Sequence, residues 1–175
     1  MQADLSPVIA ATTQWLTCAY PASGGALASA LCEAQARQAV TVAARLRYPT
    51  PMDAALMSMS GPGGSGRLDW ITGVDGTPAA DMDEYAWRTW VDEVVTSWAA
   101  CLLTDPELAA LAVSALAEAG PAAGTAVEFR RLLAPDEGDR RAAALLRHPD
   151  LLASVAELHL DELIDRLGLG QSRVA

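Results

Sequence analysis

DMDEYAWRTWVDEVVTSWAACLL, residues 81–103, is the stretch on which the reading of the fold turns. Trp87, Trp90, Val94, Trp98 and Cys101 recur three or four residues apart, the spacing that stacks side chains on one face of an α-helix. Thr89, Asp92, Glu93 and Thr96 fall on the opposite side. The pattern therefore predicts a helix that faces a core and carries an acidic outer face. Asp81, with Glu84 three residues on, supplies a start resembling a capping box, and Asp83 adds to the charge that a helix dipole favours there.

The flanking sequence reads the same way. Ser6-Pro7 predicts an N-cap followed by proline at the first helical position, and a helix to about Tyr20 with Val8, Ala11, Trp15 and Cys18 on one face. A long alanine-rich helix is expected over Ala26 to Arg47, its small residues letting a neighbour approach closely. Tyr48-Pro49-Thr50-Pro51 ends it, and Pro51 opens a short methionine-rich helix through Met59. Downstream, Asp105-Pro106 opens a helix to about Ala119, closed by Gly120-Pro121. Shorter helices follow over Thr125 to Leu133 and Glu137 to Arg147. A last one runs from Pro149 to a C-cap glycine, Gly168. The expected fold is all-α, a bundle or orthogonal array of seven or eight helices. It forms one domain over residues 1–168, with a frayed tail at 169–175.

Residues 60–80 are the exception. Gly61-Pro-Gly-Gly-Ser-Gly66 reads as a flexible loop, Arg67 to Val74 alternates weakly as a short strand would, and Asp75-Gly76 is a turn signal. Trp70 lies in this stretch, where packing onto the bundle is the commoner fate of an aromatic side chain.

Composition bounds the function. Of 175 residues, 51% are hydrophobic and 19% charged, which argues against disorder. No apolar run reaches the ~18 residues of a membrane span, and Met1 to Pro7 has no basic segment of a secretory leader. A soluble, cytoplasmic protein is expected. Three cysteines are too few and too scattered for a disulfide framework and read as buried, reduced thiols. The net charge is −10, and residues 81–175 carry 17 acids against eight arginines. Such a field repels phosphate backbones, so direct nucleic-acid binding is not expected. All 12 basic residues are arginine, so no Schiff-base lysine, P-loop lysine or Ser-Lys dyad exists.

The local motifs do not assemble chemistry. The glycine run formally fits G-x-G-x-x-G, but a dinucleotide fingerprint needs a strand before it and a helix after it. Neither histidine has the glutamate three residues earlier that a di-iron bundle requires, and no C-x-x-C occurs; neither a metal nor another cofactor is expected. His159 and Glu162 are the candidate catalytic pair, a helical imidazole beside a carboxylate. Their structural alternative is a hydrogen-bond network with Arg166 paired to Glu162.

The leading expectation is a non-enzymatic protein–protein interaction module: an adaptor, assembly chaperone or immunity-type inhibitor that engages a basic protein partner. Asp83, Glu84, Asp92 and Glu93 would steer the partner, and Trp70 would anchor it. Two alternatives stand beside it. One is a ligand-binding or catalytic helical domain with an apolar pocket among Trp15, Trp87, Trp90 and Trp98. The other is a structural subunit of a larger assembly.

Overall fold

The computed structural model describes residues 4–74, 85–120 and 124–170. Among these the chain is helical, with no named strand. Ten α-helices follow in order: α1 (Ser6–Ala19), α2 (Gly25–Arg47), α3 (Pro51–Ser60), α4 (Gly66–Thr72), α5 (Glu93–Thr104), α6 (Pro106–Ala119), α7 (Arg130–Leu133), α8 (Glu137–Ala142), α9 (Pro149–Ala156) and α10 (Leu160–Arg166). A 3₁₀ turn at Ala86–Trp90 precedes α5.

The alanine-rich helix is the axis of the array. Ala36, Ala39, Val40, Ala43 and Ala44 of α2 are fully buried, and their small side chains admit α1, α5, α6, α7 and α8 around one rod. The rest of the core is larger: Trp15, Leu16, Trp98, Leu102, Leu103, Phe129, Leu146 and Leu152. Each Leu or Phe withdrawn from water in this way contributes about 1.5–3 kcal/mol. One buried polar network is built on Arg147 and Gln35. Arg147 donates to Gln35 Oε1 at 2.5 Å and to the carbonyls of Leu103, Arg131 and Leu132. Gln35 in turn donates to the carbonyl of Asp139 at 2.8 Å. This network joins α2 to the C-terminal third.

The starts of α3 and α6 follow their sequence signals. Thr50 and Asp53 form a reciprocal capping box ahead of Pro51. The Asp105 carboxylate accepts from the backbone N–H groups of Glu107 and Leu108, both at 3.0 Å.

Three expectations are corrected. The helix foreseen over 81–103 is not continuous: Val91 is extended and Asp92 restarts the chain as the N-cap of α5. Tertiary bonds make the break. Gly64 N–H donates to the Val91 carbonyl at 3.0 Å, and the Asp92 N–H donates to Thr12 Oγ1 at 3.3 Å. Gly64 sits at φ +83°, a left-handed conformation that only glycine adopts without strain, so the glycine run docks here rather than hanging free. Second, Arg67 to Thr72 is helical, not a strand. Third, the last helix breaks after Ala156. Side chains of α5 hold the turn: Ser97 and Cys101 donate to the Ala156 carbonyl, and Trp98 Nε1 donates to the His159 carbonyl at 3.0 Å. Asp75-Gly76 and the capping segment Asp81 to Glu84 lie outside the described residues.

Candidate functional site

Helix α4 is a small platform fixed by one carboxylate. Asp69 accepts the Trp15 indole N–H at 2.8 Å, the Arg88 guanidinium at 2.6 Å and the Ser65 hydroxyl at 2.7 Å. Leu68, beside it, is fully buried. At 100° per residue Trp70 lies about 200° round the helix from Leu68, so it points away from the bundle and is 73% exposed. The expectation that Trp70 packs onto the bundle is therefore reversed. The first and last turns of α4 turn the same way: Arg67, three residues before Trp70, is also exposed.

Arg67 opens a chain of charged contacts across three helices. It donates to Glu93 Oε1 at 3.2 Å, and His159 Nε2 meets the same oxygen at 2.7 Å. On the other side of the ring, His159 Nδ1 meets Glu162 Oε1 at 2.6 Å. Partial burial of the imidazole works against its charge, but the hydrogen bonds and charges of Glu93 and Glu162 outweigh it, and the pKa is raised above the ordinary 6.5. Sequence spacing brought His159 to Glu162; it could not bring Glu93, 66 residues away. Arg166 does not pair with Glu162 as foreseen. It donates instead to the Leu46 carbonyl at the end of α2, at 2.9 Å.

The acidic surface is not where periodicity placed it. Asp92 is only 3% exposed. Its carboxylate caps α5 by accepting from Val95 N–H at 3.0 Å and also accepts the Tyr48 hydroxyl. Thr96 is likewise buried. Asp92 therefore offers no charge to a partner, and Glu93 is half-covered by its two contacts. Asp83 and Glu84 lie outside the described residues. Five exposed acids lie further on, at Asp150, Glu157, Asp161, Glu162 and Asp165, along α9, α10 and the turn between them. Helix α4, which bears Trp70, packs against α9.

An apolar stripe on α3 reaches the cleft of Glu93 through Leu56. Met52, Leu56 and Met59 of α3 are exposed, Met59 at 85%, and their spacing puts them on one helical face. Leu56 and Glu93 line the same cleft, of about 440 Å³, together with Arg47, Tyr48, Pro62 and Val94. Met52 and Met59 were legible as a methionine-rich segment; that they face outward was not. A second cleft, of about 660 Å³, lies between the start of α1 and the end of α6.

No tryptophan lines either cleft. Trp15 and Trp98 are packed in the core with their indole N–H groups bonded, and Trp87 and Trp90 lie half-buried against it. Both ring nitrogens of His159 are taken by carboxylates, which leaves neither to draw a proton from a hydroxyl. Among the described residues no three His, Cys, Asp or Glu side chains converge as a metal-binding group, and no helix is long and apolar enough to cross a membrane. Comparison with family models, with curated proteins and with solved structures returns no match to this chain.

Proposed function

We propose that the chain is a non-enzymatic protein–protein interaction module, and that it engages its partner around Glu93. The observation that carries the reading is Trp70, held out at 73% exposure by a helix that is otherwise firmly anchored. Tryptophan is enriched among the residues that dominate binding energy at protein interfaces. Met52, Leu56 and Met59 extend the apolar contact, and methionine adapts its shape to varied partners.

The charge of the surface favours a basic partner. Residues 149–166 carry five exposed acids and one arginine, Arg166. Complementary charge of this kind steers encounter and sets specificity. The steering role moves to Glu157, Asp161, Glu162 and Asp165, because Asp92 is consumed in capping. The fitting occupant is a basic protein segment with one or two apolar side chains.

The test is capture of partners by tagged chains washed at low and at high salt. The expected result is a stoichiometric protein that the wild-type chain retains at low salt and releases at high salt. Trp70→Ala and a Glu157→Arg/Asp161→Arg variant should each fail to retain that same protein. Equal retention by all three chains rules out this surface.

A further inference from the structure

We infer that His159 is a proton-operated latch between α5 and α10: as an imidazolium it holds Glu93 and Glu162 at once, and loss of one proton releases one of them.

The geometry sets the protonation state. Nε2 lies 2.7 Å from Glu93 Oε1 and Nδ1 lies 2.6 Å from Glu162 Oε1. A neutral imidazole has one donor and one acceptor, and an ionised carboxylate only accepts. Two such contacts on one ring therefore require both nitrogens to carry hydrogen. When the proton leaves to solvent, one nitrogen presents a lone pair to a carboxylate, and that contact turns repulsive. The charged groups around the ring come from three elements: Arg67 of α4, which shares the Glu93 oxygen, Glu93 of α5, and Glu162 of α10. Ser97 and Trp98 of α5 hold only the backbone of His159.

Which carboxylate leaves follows from their anchoring. Glu93 is 23% exposed and keeps Arg67, whereas the Glu162 side chain is 52% exposed and has no second partner among the described residues. Deprotonation therefore frees Glu162 and loosens the first turn of α10, which is only seven residues long. It also adds one negative charge to the surface beside Trp70. Through that charge a basic partner would bind more tightly as pH rises, a consequence that rests on the interaction reading above; the latch itself does not.

The test is a proton NMR titration of the His159 ring in the full chain, with His148→Gln used to assign the two histidines. The expected midpoint lies above about 6.5, the value of a free histidine side chain. Glu162→Gln should lower it, as should Glu93→Gln. Amide-exchange protection of residues 160–166 should fall several-fold as pH rises through the midpoint, while protection in α2 holds. Glu162 is exposed, so its variant keeps the test open if Glu93→Gln fails to fold. A midpoint at or below 6.5, a midpoint unmoved by Glu162→Gln, or α10 protection that does not change across it overturns the latch. None of these readouts involves a partner, so failure of the latch and failure of the interaction reading are separate results.

Discussion

The Tyr48 hydroxyl donates to the Asp92 carboxylate, so the residue that ends α2 is tied to the residue that starts α5. Asp92→Ala removes an N-cap, worth about 1 kcal/mol. It also leaves a half-buried phenol without its acceptor, a further ~1–3 kcal/mol. The expected loss is about 2–4 kcal/mol in denaturant unfolding, with Asp92→Asn milder because asparagine still caps. Burial, and after it the Asp92 carboxylate, push the Tyr48 phenol above its ordinary range. In a spectrophotometric alkaline titration Tyr48→Phe should remove a late-ionising step.

The Asp69 carboxylate accepts the buried Trp15 indole N–H and also holds Arg88. Asp69→Ala leaves an unmet donor in the core and a poorly paired guanidinium. A loss of about 3–5 kcal/mol is expected, with a shift in tryptophan emission. Asp69→Asn, which keeps an acceptor, should lose less. Equal stability of Asp69→Ala and wild type would remove α4 from the rigid frame.

The cysteines were expected to be buried alike. Cys32 and Cys101 are, but Cys18 is exposed on the outer side of α1. Burial raises both inner thiols, Cys101 to about 12, and only thiolates attack disulfide reagents readily. With a disulfide reagent at pH 8 one thiol per chain should react promptly, and Cys18→Ser should abolish that phase. The other two should react only on unfolding.

His159 makes stability depend on pH with a definite sign. A folded-state pKa raised above 6.5 means the folded chain binds the proton more tightly. The stabilisation is therefore complete below about 6.5 and is lost as pH rises through the folded value. The stability gap between wild type and His159→Gln should shrink from pH 6 to pH 8.5. A gap that is constant or grows would mean the ring is held neutral.

Much of the array was legible because helix starts are local chemistry. Asp105-Pro106 and Thr50-Pro51 carry their caps within four residues, and the small residues of α2 announce a close-packed rod. The two unforeseen helix breaks share one cause. Trp87 to Cys101 keeps helical period across a real break, because the bonds that break it come from Thr12, Tyr48 and Gly64, all distant in sequence. The same holds for the turn at His159, pinned by Ser97 and Trp98. Periodicity reports which residues would share a face if the helix continued; it does not report where a tertiary hydrogen bond stops it. Asp92 looked like surface charge for that reason, and Glu93 could not be foreseen as the partner of His159. Trp70 is exposed because residues 66–72 are a helix, where the weak alternation of 67–74 suggests a strand.

On the proposed reading, a protein partner binds the surface around Trp70, Glu93 and the acids of residues 150–165. The most direct measurement is an amide-exchange footprint of the salt-sensitive partner on the full chain. Protection confined to residues 51–72 and 149–166 is the expected result. Protection on the exposed faces of α2 and α6, with none at those two segments, would contradict it.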